Sequence, residues 1–246
     1  MFGFRKSVKC AAATLSAALL FSGVSSLQAQ EKRRPSRETN ANRQARIQRI
    51  IQDTYSHRYE VAGGGGYLRF RSGETLQRNN EITFWVTGTR YFTFNPRLGI
   101  DAQVRGAYGN AKVGNTAFNI ANPQISQYNF MAGPTYRLWM RQKYAVNVWG
   151  VAGGALGKFD TGSKAIPSSA LNLWETGWRP GFSVGANFDY NFYPNLAVRI
   201  SPIYVGGLYR LAPVNTFTNV PNTNRGTIQS NLGFNVGVVY RFGRIK

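Results

Sequence analysis

From Val61 onward, apolar and polar residues alternate with a period of two, the signature of strands with one apolar face. In Gly99–Tyr108, Ile100, Ala102, Val104, Gly106 and Tyr108 oppose Asp101, Gln103, Arg105 and Ala107. Gln127–Leu138 sets Tyr128, Phe130, Ala132, Pro134, Tyr136 and Leu138 against Gln127, Asn129, Met131, Thr135 and Arg137. Phe182–Tyr190 sets Phe182, Val184, Ala186, Phe188 and Tyr190 against Ser183, Gly185, Asn187 and Asp189. In Asn231–Phe242, Phe234, Val236, Val238, Tyr240 and Phe242 oppose Asn231, Gly233, Asn235, Gly237 and Arg241. Four weaker runs cover Tyr59–Arg71, Glu81–Phe92, Tyr144–Leu156 and Leu196–Tyr209. The facing of the first two stays open. Gly63–Gly66 blurs one, and Trp85 competes with Ile82, Phe84 and Val86 in the other.

Eight strands result, each near the roughly 9–11 residues that a tilted strand needs to cross a bilayer. Alternation alone fits two architectures. A soluble sandwich turns its apolar faces inward, whereas a membrane barrel turns them toward lipid. The connections separate the two. Long segments (Ser72–Asn80, Asn110–Pro123, Gly157–Arg179 and a polar stretch ending near Gln229) alternate with short ones (Phe94–Arg97, Arg141–Lys143, Phe192–Asn195). Barrels alternate long outer loops with short periplasmic turns in this way, and Greek-key sandwiches do not. Aromatics gather at strand ends, in Tyr91–Phe94 and Tyr190–Tyr193, with Trp139 and Tyr144 at a short turn and Trp174 and Trp178 near a long loop, as an interfacial girdle requires.

The last strand reads Asn235-Val236-Gly237-Val238-Val239-Tyr240-Arg241-Phe242. At this point the chain resembles the small eight-stranded outer-membrane barrels of the opacity-protein and OmpA-like type, over about Tyr59–Phe242. The resemblance implies an all-β fold, an eight-stranded antiparallel transmembrane barrel. It also implies that Asn235, Gly237, Tyr240 and Phe242 act as a signal to the barrel-insertion machinery. Gly243–Lys246 extend past the final aromatic, a departure from the family pattern.

The segment before the strands adds location. Arg5, Lys6 and Lys9 precede an apolar stretch, Ala11–Phe21, and small residues ending in Leu27-Gln28-Ala29. This is the pattern of a secretory signal, too short for a membrane anchor, with cleavage expected after Ala29. The expected organisation is a signal peptide over 1–29, a basic periplasmic leader over 30–58 and a barrel over 59–246. Within the leader, Ile47, Ile50, Ile51 and Tyr55 recur at helical spacing, with Arg43, Arg46 and Arg49 elsewhere on the wheel and Thr39 or Asn40 available as N-cap. Such a short amphipathic helix either packs its Ile stripe on the barrel edge, lies on anionic headgroups or plugs a pore mouth.

Composition narrows the chemistry. Lys and Arg number 30 against 10 Asp and Glu, a formal charge of +20, yet only 16% of the residues are charged. Nucleic-acid binding fits poorly with export and with so little charge among so many aromatics. The single cysteine, Cys10, lies inside the signal, and His57 is the only histidine. Disulfides, thiol catalysis and multi-His or Cys metal sites are therefore not expected, nor is any cofactor. His57 has no serine or carboxylate constellation beside it, so a lipid-modifying hydrolase is the remote reading.

The charged residues Asp101, Arg105, Arg137, Asp189, Arg199 and Arg241 are expected in the lumen as a packed ion-pair network, with Arg69 beside them and a surplus of positive charge. The competing reading is a narrow pore in which that surplus favours anions. Glu81 is assigned to an outer loop, and Arg90 stays ambiguous, snorkelling toward the interface if it faces lipid. The expected function is a non-enzymatic outer-membrane barrel in envelope structure, adhesion or ligand binding. Outer-membrane lipids are its expected partners, with a surface ligand held by the long loops, Val214–Phe217 and Asn222–Arg225 among them.

Overall fold

A computed structural model of the chain describes residues 39–114, 119–160, 166–213, 221 and 228–244. The expected signal peptide, the start of the leader, and Val214–Phe217 and Asn222–Arg225 lie outside the described residues. Two compact units divide the chain, Met1–Ala45 and Arg46–Lys246. In the first, residues 39–45 are exposed, and the Thr39 carbonyl accepts the Arg43 N–H at 3.1 Å as helix α1 (Asn40–Tyr55) begins.

The second unit holds the end of α1 and eight strands: β1 (His57–Arg71), β2 (Arg78–Tyr91), β3 (Leu98–Asn110), β4 (Gln124–Met140), β5 (Tyr144–Lys158), β6 (Gly177–Tyr193), β7 (Leu196–Gly207) and β8 (Gln229–Arg244). Each pairs antiparallel with the next, and β1 pairs with β8, so the sheet closes into a barrel. Closure leaves no unpaired edge, which an apolar medium requires because it offers the backbone no other hydrogen-bond partner. The expected alternation of long and short connections holds from β3 onward, with 111–123, 159–176 and 208–228 long and 141–143 and 194–195 short. The first two connections, 72–77 and 92–97, are equal in length, because β2 begins at Arg78 and β1 runs to Arg71.

The faces are inverted relative to a soluble protein. Phe84, Val104, Phe130, Phe188, Val236 and Val238 are exposed on the outside, while Arg105, Asn129, Arg137, Asp189, Asn235 and Arg241 are buried inside. This is the division expected when lipid, not water, surrounds the wall. The open facings resolve by the same rule. On β2, Ile82, Phe84 and Val86 point out, and Trp85 points in, its Nε1 donating to the Gly65 carbonyl at 3.2 Å. On β1, Glu60, Ala62, Leu68 and Phe70 point in. Gly64 faces inward where a Cβ would collide with the Val236 carbonyl of β8, so the glycine run lets the first and last strands meet.

Four expectations need correction. Arg69 is exposed on the outer face, because it alternates with the buried Leu68 and Phe70. Glu81 belongs to the wall of β2 and is fully buried, not in a loop. Tyr91 and Trp174 are buried, so neither joins the girdle. The girdle at the short-turn end is instead completed by two β-bulges, between Arg137 and Trp139 and between Asn191 and Tyr193. Each bulge turns two successive residues outward, Leu138 with Trp139 and Phe192 with Tyr193. Arg90 is exposed on the outer face of β2 near that end.

Candidate functional site

The lumen is closed in layers, starting at the short-turn end with the last residue of α1. The face Ile47, Ile50, Ile51 and Tyr55 divides there: the three isoleucines are half-buried and Tyr55 is buried. The Tyr55 hydroxyl donates to the Arg141 carbonyl at 2.8 Å and accepts from Asn191 Nδ2 at 3.1 Å. Its carbonyl accepts from Arg137 Nη1 at 3.2 Å, and the Arg137 and Arg241 guanidinium carbons lie 5.4 and 5.8 Å from its ring centre. Burial raises the Tyr55 phenol above its ordinary value, against the lowering effect of the Asn191 hydrogen bond and the nearby Arg241 and Arg137. His57 lies beside this plug, its Nδ1 3.1 Å from the Thr54 carbonyl.

Immediately above Tyr55 is a five-residue charge cluster. Glu60 Oε2 accepts from Arg241 Nε at 3.0 Å, Glu60 Oε1 accepts from Arg199 Nη2, and Arg137 Nη2 stands 3.9 Å from Glu60 Oε2. Asp189 binds the same cations: Arg199 Nε at 2.7 Å and Arg241 Nη2 at 3.0 Å. Arg137 stacks over Tyr91, 3.3 Å from its ring centre, and Asn191 Oδ1 accepts from Arg241 Nη1 at 2.8 Å. The structure therefore brings Arg137, Asp189, Arg199 and Arg241 together. It puts Asp101 and Arg105 in a separate ladder along β3, where Gln103 donates to Asp101 at 2.6 Å and accepts from Arg105 at 3.4 Å. Thr89 also donates to Asp101, at 2.8 Å.

Glu60 is the member that sequence reasoning missed, because the run Gly63–Gly66 between it and Leu68 carries no side chain to show which face it shares. Its separation by even steps from Leu68 and Phe70 was the available signal. With Glu60 and Glu81 inside and Arg69 outside, the buried charged residues among those described are four arginines and four carboxylates. The expected positive surplus is absent among the described residues.

Toward the loop end the lumen turns apolar, unlike the polar, ion-paired interior expected. Leu68, Met131, Trp149, Val151, Ile203 and Val205 fill the middle. Phe70, Ile125, Phe159, Leu173, Trp174 and Tyr209 close the top. Loop residues supply much of this cap. A 3₁₀ turn at Ser168–Leu171 brings the β5–β6 loop over the barrel mouth, where Trp174 Nε1 donates to the Arg71 carbonyl at 2.7 Å. The Trp174 amide donates to the Ser72 carbonyl at 3.0 Å. Beneath the cap, Glu81 accepts two bonds from Gln127 Nε2, at 2.9 and 3.1 Å, and Tyr209 donates to Gln127 Oε1 at 3.0 Å. Burial raises the Tyr209 phenol, helped by the charge of Glu81.

Of the last-strand motif, Asn235 and Gly237 face inward while Tyr240 and Phe242 are exposed on the wall, where Phe242 stacks on Tyr59 at 5.5 Å. Among the described residues no group of three or more His, Cys, Asp or Glu is arranged to hold a metal ion.

Closure, apolar exterior and charged interior define the class: an eight-stranded antiparallel transmembrane β-barrel. No protein-family model and no curated protein matches the chain. Solved structures similar to it include Neisserial surface protein A, with 11% identity, a TM-score of 0.49, and coverage of 75% of this chain and 97% of that one. OprG from Pseudomonas aeruginosa has 10% identity, a TM-score of 0.49, and coverage of 76% and 98%. Ail of Yersinia pestis, the attachment invasion locus protein solved in complex with the heparin analogue sucrose octasulfate, has 14% identity, a TM-score of 0.43, and coverage of 76% and 99%.

Proposed function

We propose that the protein is a non-enzymatic barrel of the outer membrane that presents its long loops at the surface and whose lumen does not conduct. The signal-like N-terminus supports export, and the barrel's wall and girdles support membrane residence. The observation that carries the reading is the doubly closed interior. Arg137, Arg199 and Arg241 are 1–2% exposed, so water does not reach the charge cluster, and the apolar cap shuts the other end. A conducting path needs a hydrated or dewettable channel, and here the three guanidinium groups are held by Glu60 and Asp189 in a buried cluster.

On this reading the rigid barrel is a scaffold, and binding belongs to the loop surface. The outward Tyr240 and Phe242 and the inward Asn235 and Gly237 serve biogenesis at the insertion machinery. The test is single-channel recording of purified protein in planar bilayers. The expected result is a quiet membrane. Stable, anion-selective steps would establish the pore reading instead.

A further inference from the structure

Outside the barrel, at the loop end, Arg71 of β1 and Arg78 of β2 are register partners on the outward face. Arg69 lies one outward row nearer the apolar wall, exposed between Asn80 and Leu232. Facing residues sit about 5 Å apart across strands and about 7 Å apart along them, so these side chains share one small area. Like charges placed directly opposite each other destabilise a sheet. Yet among the described residues none of Arg69, Arg71 and Arg78 has an acidic partner.

Directly beneath lies the aromatic and aliphatic wall. Tyr67 stacks on Phe234 at 5.8 Å and donates to Asn80 at 2.6 Å, and Ile82 and Leu232 are among the most exposed apolar side chains. Cations in a row above an apolar wall are set at headgroup height.

We propose that this face binds a membrane lipid whose headgroup carries more than one phosphate. Guanidinium forks match phosphate oxygens in pairs, and the acyl chains of such a lipid cover the wall below. Three positive charges in so small an area exceed what one phosphodiester balances. A sulfated polysaccharide would pair the cations but leave the apolar wall unfilled. The proposal rests on the reading that the barrel spans a membrane with its loops in the outer leaflet.

The test uses the full barrel in detergent micelles and native mass spectrometry. The probes are diphosphorylated lipid A, its monophosphorylated form, inorganic phosphate and a short heparin fragment. The wild type retains the diphosphorylated lipid about tenfold more tightly than the monophosphorylated form, as the loss of one charge-assisted contact implies. Arg71→Gln/Arg78→Gln erases that preference, and Arg141→Gln, at the short-turn end, keeps it. An unchanged preference in the double variant overturns the proposal. So does displacement of the lipid by equimolar inorganic phosphate, or by heparin while the lipid alone shows no preference. If the double variant does not fold, Arg69→Gln must still reduce the preference, and no reduction overturns the proposal. A conducting lumen would register in bilayers and leave this binding result untouched, so the two readings fail separately.

Discussion

Replacing Glu60 by Gln removes one negative charge from the centre of the cluster and keeps its shape. Arg199 and Arg241 lose the carboxylate they contact directly, Arg137 loses the one 3.9 Å away, and Asp189 alone remains to balance three guanidinium groups. All of these side chains are 2% exposed or less, so water cannot replace the lost charge. Removing one partner of a buried pair costs about 3–5 kcal/mol, chiefly because the other charge is left uncompensated. The control is Glu175→Gln. Its pair with Arg179 is 2.5 Å long but 25% and 44% exposed, and a pair in that setting is worth less than about 1 kcal/mol. Urea unfolding in phosphatidylcholine vesicles, followed by tryptophan fluorescence, measures both. If Glu60→Gln costs no more than Glu175→Gln, Glu60 is not the keystone of a dry cluster, and the closed-lumen reasoning fails with it.

Gly64→Val places a branched side chain against the Val236 carbonyl, so β1 and β8 cannot close, and the variant should lose the heat-modifiable gel shift of the folded barrel. Gly88→Val, on the outer face where a Cβ meets nothing within 4 Å, should keep that shift. Trp174→Ala empties the loop cap and should cost about 3–5 kcal/mol in the same urea assay, with the β5–β6 loop newly open to protease. For pH, the sign follows from Tyr55, whose phenol is raised in the folded state. Above the unfolded value the unfolded chain has released the proton that the folded chain still holds. Tyr55 therefore contributes no pH dependence below about pH 10, and stability falls as pH rises beyond it. Tyr55→Phe should flatten that part of the fall in alkaline unfolding curves.

The strands and most of their facings were legible because a period of two runs through most of each strand, and the connection lengths chose between barrel and sandwich. What stayed hidden has physical causes. Glu60 stands before four glycines, which present no side chain to reveal the inward face. Glu81 looked like loop because Arg78–Asn80 are polar, although β2 already begins at Arg78. Trp174, Leu171 and Leu173 fold back into the mouth from a loop, where no periodicity reports direction. The bulge after Arg137 shifts parity by one residue, and only the register shows it. The charge balance of the lumen depended on Glu60, Glu81 and the outward Arg69, so the expected anion-favouring surplus disappeared once they were placed.

The central claim is the inversion of faces, and lipid contact measures it directly. In Ile-, Leu- and Val-methyl-labelled protein in phospholipid nanodiscs, nuclear Overhauser peaks from acyl-chain protons should reach Val184, Ile200, Val236 and Val238. They should be absent from Leu68, Ile203, Val205 and Val239. Acyl-chain contact at Val239 and Ile203, or none at Val236 and Val238, would contradict the account.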